Sequence, residues 1–157
     1  QGIHNVALVM IGQGPLWAQI NNRITQLHLQ SNVIMSREES AETMAALFQR
    51  SDIVVQPSIS ESFSMVCLEA MTYRKPFICT KNTGIAEYIT AGREGFVIAP
   101  DDVAALAQPI QQLVENPTLR QSMGRAGAET AAGFRIEMKV EELLRVYEEF
   151  SPHAKNP

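Results

Sequence analysis

The chain has 157 residues, 45% of them hydrophobic and 19% charged, with a formal net charge of −4. That length supports one domain with a substantial core, and the acidic balance argues against broad nucleic-acid binding, which needs a basic footprint. No apolar run approaches the ~18–20 residues of a membrane span, and no signal-peptide pattern is read at its start.

In chain order, five short apolar runs at 6–11, 33–35, 53–55, 77–79 and 96–98 alternate with helical patterns. Such alternation predicts βαβ units and a parallel sheet, a Rossmann-like doubly wound α/β fold. Helices are predicted at 16–29, 41–49, 64–73, 84–91, 102–115, 117–126 and 136–150. The first carries Leu16, Ile20, Ile24 and Leu27 on one stripe, and the last carries Val140, Leu143, Leu144, Tyr147 and Phe150. Asn116-Pro117 is a helix start, with a capping asparagine and proline at the first helical position. Pro109 inside the fifth helix deletes a backbone hydrogen bond and predicts a kink. Residues 151–157 are predicted to be a disordered tail.

Gly12-Gln-Gly14 follows the first strand and invites a dinucleotide reading, but Trp17 stands where the third glycine belongs and the fingerprint fails. The bland reading is a tight strand-to-helix turn; the alternative makes Gly12 a wall of a nucleotide pocket. Arg37 and Lys81 follow the second and fourth strands, at the carboxyl edge where ligands bind in open α/β folds. Each such residue is more often a solvated surface charge than a ligand contact. Cys67 and Cys79 fall in predicted buried elements without metal-ligand neighbours, a usage compatible with a reducing compartment. His4, His28 and His153 are scattered, so no zinc site and no histidine-based triad is read.

The densest chemistry is Glu61 and Glu69, eight residues apart in sequence where a β-branched strand turns into an apolar helix. From Met65 to Met71 that helix is apolar on every side except at Glu69, so it reads as buried, with a carboxylate that needs a ligand. Helical side chains lean toward the N-terminus, so Glu69 can aim at the sheet end where Glu61 sits. The helix start between them offers amides for a phosphate. A ligand with hydroxyls at both ends and an anion between them has the layout of a nucleoside diphosphate sugar.

Residues 60–71, Ser-Glu-Ser-Phe-Ser-Met-Val-Cys-Leu-Glu-Ala-Met, resemble the E-G-F-G-L-x-x-L-E-A-M signature of retaining GT-B-fold glycosyltransferases, the group 1 or family 4 type. Residues 6–14, 76–87, 92–100 and 134–137 resemble that family's other motifs in the same order. The resemblance implies that 1–150 is a C-terminal donor-binding domain, half of a GT-B fold, in an enzyme that transfers a hexose to a glycan or lipid-linked acceptor in polysaccharide biosynthesis. It assigns Glu69 to the donor ribose and Glu61, as the catalytic residue, to sugar hydroxyls near the reacting centre. The amides of Ser62, Phe63, Ser64 and Met65 would face the sugar and diphosphate, with Gly12, Arg37 and Lys81 as further donor-binding candidates. No metal or cofactor is called for.

Two departures stand out. Both glycines of the usual E-G-F-G are serines, Ser62 and Ser64, which narrows the permitted backbone, and the usual proline before Glu87 is absent. The resemblance also implies that the family's first strand, its basic diphosphate clamp and an N-terminal acceptor domain lie upstream of Gln1, so this piece alone is expected to be inactive. Either direct pairing of strand 6–11 with strand 53–55, the favoured expectation, or a segment from elsewhere, such as a strand exchanged with a second copy, would then close the central slot. The expected location is cytoplasmic, with peripheral association at the inner membrane face left open. The readings from other classes are a non-catalytic nucleotide-sugar-binding or assembly module and a GT-B-like nucleotide-sugar epimerase.

Overall fold

A computed structural model describes residues 6–150, so the predicted tail at 151–157 lies outside the described residues. The chain divides into two compact units, Gln1–Leu47 and Phe48–Pro157. The first holds β1 (Leu8–Ile11), α1 (Trp17–Gln26) and β2 (Val33–Ser36), and the division falls within α2 (Ala41–Arg50). β1 and β2 pair in parallel from Leu8↔Val33 to Ile11↔Ser36. The Asn32 side-chain amide donates to the Val6 carbonyl at 3.0 Å and fixes the approach to β1. Among the described residues of this unit only Ile24 is buried, while Leu8, Val9, Ile11 and Ile34 are exposed.

The second unit holds β3 (Val54–Gln56), α3 (Met65–Thr72), β4 (Phe77–Thr80), β5 (Gly95–Ile98), α4 (Val103–Glu115), α5 (Pro117–Ala131) and α6 (Ile136–Phe150). Its parallel sheet runs β3-β4-β5, with Val54↔Phe77 and Phe77↔Gly95 in register. β4 is buried at all four positions, as befits the central strand of a sheet covered on both faces. Ile78 packs with Leu113 and Met123, and Val55, Phe96 and Leu106 close around them. Burying each such side chain contributes about 1.5–3 kcal/mol. Among the described strand pairs β1 joins β2 and β3 joins β4, and the expected pairing of the first strand with the third is not one of them.

Helix ends follow the sequence closely. Asp102 caps α4 through the Ala105 amide at 2.9 Å, and Asn116 caps α5 through the Leu119 amide at 2.9 Å. Arg120 donates to the Leu113 and Val114 carbonyls at 2.6 and 3.0 Å, satisfying groups that the end of α4 leaves unpaired. α4 runs through Pro109 without interruption. α5 outruns its predicted end at 126 because Gly124 and Gly127 are contact points rather than breakers. Gly124 lies against the Arg74 carbonyl, where any side chain would overlap, and Gly127 lies against Met71 of α3.

The predicted helix at 84–91 is instead a 3-10 turn, Gly84–Tyr88. Its first two amides are diverted to another loop, Gly84 to the Glu61 carbonyl and Ile85 to the Phe63 carbonyl, and the Thr90 amide goes to the Glu94 carboxylate. Glu94 is fully buried and also accepts from Arg93 and from the Thr130 hydroxyl at 2.9 Å. It ties the approach to β5 to α5.

Candidate functional site

The site is built on the loop from Gln56 to α3, at the carboxyl end of β3, where open α/β sheets hold ligands. This loop is fastened to the one after β4. The Thr80 hydroxyl donates to the Ser58 carbonyl at 2.6 Å, and the Asn82 side chain donates to the Ile59 carbonyl at 2.9 Å. The Glu61 amide donates to the Asn82 carbonyl at 3.1 Å, the Gly84 amide to the Glu61 carbonyl at 3.0 Å and the Ile85 amide to the Phe63 carbonyl at 2.8 Å. Main chain therefore holds main chain across residues 61–63 and 82–85. Sequence reading missed Asn82, Thr83 and Tyr88 here; an asparagine after a strand was the available signal for the first.

Glu61 is half-buried, and its carboxylate lies 3.5 Å from the hydroxyl of the exposed Ser62. Ser64 adopts φ 82° and ψ 91° and is buried, a conformation natural to glycine and strained for serine. Its hydroxyl accepts the Cys67 amide at 3.3 Å and caps α3. So the second serine substituted for a glycine retains the glycine-like backbone and adds a cap.

Glu69 corrects an expectation. It was predicted to be a carboxylate inside a buried helix, and it is exposed. α3 turns Cys67, Ala70 and Met71 inward and presents Met65, Glu69 and Thr72 outward, the i, i+4, i+7 face of a helix. An all-round apolar sequence does not reveal which side a helix leaves open. No burial cost then compels a partner for Glu69, and its case as a ligand group rests on its place on the open face of the first turns of α3. Lys81 is exposed, and its amide extends the ladder to the Ile98 carbonyl at 2.9 Å.

Cys67 and Cys79 are buried free thiols. Interaction with Cys67, together with burial, pushes Cys79 well above the ordinary thiol range, while Cys67 is lowered chiefly by Cys79.

The first unit carries Gly12 and Arg37. Gly12 follows β1 with φ 151°, and its amide donates to the Ser36 carbonyl at 2.9 Å. Arg37 follows β2 and lays its guanidinium over the Trp17 ring, 4.9 Å from the centroid, a cation–π contact. Met10, Gly12, Pro15, Trp17 and Met35 line an apolar hollow of about 350 Å³. Trp17, which breaks the glycine fingerprint, thus supports Arg37, a role with no signal in the sequence. Among the described residues no three His, Cys, Asp or Glu side chains converge as a metal site, and no helix is long and apolar enough to cross a membrane.

Residues 1–130 match the family model described as glycosyl transferases group 1. The chain belongs to that family. It is 32% identical over 142 residues to an uncharacterized glycosyltransferase of Methanocaldococcus jannaschii, covering 90% of this chain and 40% of that protein. Its fold resembles sucrose-phosphate synthase from Thermosynechococcus elongatus, with TM-score 0.81, 23% identity and coverage of 91% of this chain and 38% of that one. It also resembles Anabaena HepE in complex with UDP-glucose, with TM-score 0.79, 22% identity and coverage of 92% and 42%. These likenesses establish the Rossmann-like α/β architecture of a GT-B glycosyltransferase. The chain spans less than half the length of the relatives it matches.

Proposed function

We propose that residues 1–150 form the donor-binding, C-terminal domain of a retaining glycosyltransferase that moves a hexose from a nucleoside diphosphate sugar to a glycan or lipid-linked acceptor. The observation that carries this reading is the main-chain-fastened turn at Glu61–Met65, with the Glu61 carboxylate at its head and Glu69 on the open face of the helix it starts. Support comes from the group 1 family match and from a fold neighbour solved with UDP-glucose.

In this reading the start of α3 and the amides from Ser62 to Met65 receive the diphosphate, using the partial positive charge of a helix N-terminus. Glu69 binds ribose hydroxyls. Glu61, steadied beside the Ser62 hydroxyl, holds sugar hydroxyls and stabilises the positive charge that grows on the ring as the diphosphate departs. Catalysis is then electrostatic, by preorganised donors around developing charge, and needs no metal. Lys81 contributes cationic charge toward the nucleotide. The parent protein supplies an N-terminal acceptor domain.

The test is steady-state kinetics of the full-length enzyme. Glu69→Ala raises the donor KM, because ribose binding is equal in ground and transition states. Glu61→Ala lowers kcat, because its partner gains charge during reaction. The reverse pattern overturns the assignment.

A further inference from the structure

Three aromatic rings from three segments meet beside the Glu61 loop. Phe63 lies 5.8 Å from Tyr88 and 5.6 Å from Phe134, and Tyr88 lies 5.4 Å from Phe134. Interplanar angles of 71°, 53° and 76° make all three contacts edge-on or tilted, the arrangement that aromatic quadrupoles favour. Phe63 belongs to the loop, Tyr88 ends the Gly84–Tyr88 turn, and Phe134 ends the Ala132–Phe134 turn that leads to α6. Tyr88 is 55% exposed and Phe134 half-buried, so neither is part of the Ile78, Leu113 and Met123 core.

The cluster holds the turn that aims the loop. A trans peptide is planar, with its C=O and N–H pointing in opposite directions. The Glu61 carbonyl is taken by the Gly84 amide, so the Ser62 N–H in the same peptide plane points away from that turn. The Phe63 carbonyl is taken by the Ile85 amide, so the Ser64 N–H points away likewise. Two amides thus face away from that turn because two carbonyls are pinned, and the pins stay in place because Tyr88, at the far end of the turn, is packed against Phe63 and Phe134.

We propose that Tyr88 and Phe134 are positioning residues for the Ser62 and Ser64 amides, setting the affinity of the site for the diphosphate of its ligand without touching it. This rests on the donor-binding reading above. Because Phe134 lies two residues before the start of α6, a shift at the start of that helix is passed to the loop.

The experiment measures, by calorimetry on the full-length protein, the affinity for a panel of nucleoside diphosphates and for the parent nucleosides. Tyr88→Leu and Phe134→Leu are compared with Tyr88→Phe, which keeps the ring, and thermal melts confirm that each variant is folded. The leucine variants are expected to weaken diphosphate binding about tenfold while nucleoside affinity stays constant and Tyr88→Phe behaves as wild type. In amide hydrogen exchange, Gly84 and Ile85 lose protection in the leucine variants. Equal weakening of nucleoside and diphosphate, or no change in either, overturns the positioning role. Wild-type protein that binds no nucleoside diphosphate overturns the donor reading, and the positioning role with it.

Discussion

Gly84 donates its amide to the Glu61 carbonyl at 3.0 Å, and a side chain at Gly84 would overlap the neighbouring Ser62 carbonyl oxygen. The approach of the two loops is therefore set by the absence of one methyl group. Gly84→Ala is expected to force them apart, costing about 2–4 kcal/mol and weakening donor binding. Urea denaturation with a donor titration on the same protein checks both. A variant with wild-type stability would show that the loops can part freely.

Ser64 makes opposite predictions for two small substitutions. Ser64→Gly relieves the strain of φ 82° and loses only a few tenths of a kcal/mol of capping, so it gains about 0.5 kcal/mol. Ser64→Ala keeps the strain and loses the cap, and costs about 1 kcal/mol. Denaturation midpoints measured in parallel decide the signs; two losses of similar size would mean that the backbone is relaxed.

Glu94 is the buried carboxylate on which the approach to β5 depends. Its partner Arg93 is 54% exposed, which discounts the ion pair, but the Thr90 amide and Thr130 hydroxyl would lose their acceptor. Glu94→Ala is expected to lower stability by about 2–3 kcal/mol, and Glu94→Gln, which keeps one acceptor oxygen, by less. Chemical denaturation reads the difference.

Cys67 and Cys79 should resist modification in the native state. Reaction needs an accessible thiolate; both residues are fully buried and Cys79 is held in its protonated form. An aromatic disulfide reagent at mildly alkaline pH is expected to modify neither thiol in native protein and both after unfolding. Rapid labelling of one native thiol would reveal opening between α3 and β4.

The sequence made the strands of the second unit legible because β-branched and apolar runs at 53–55, 77–79 and 96–98 are bounded by turn residues, and each lies within one residue of a strand. The cap at Asn116 was legible for a local reason, since its partner lies three residues on. What stayed hidden depends on distant partners. The 3-10 turn at Gly84 exists because its amides serve Glu61 and Phe63, more than twenty positions earlier. Gly127 reads as a helix end until Met71 of α3 is set against it. The exposure of Glu69 depends on which face of α3 meets the rest of the fold, and uniform apolarity is silent on that.

The fastening of residues 61–63 by main chain alone has a consequence for how such a site diversifies. Ser62 is exposed, while the carbonyls of the residues on either side of it, Glu61 and Phe63, are anchored by the Gly84 and Ile85 amides. A change of side chain at 62 alters the exposed surface of the turn without disturbing the frame that presents it. This position can therefore drift by single substitutions that leave folding untouched.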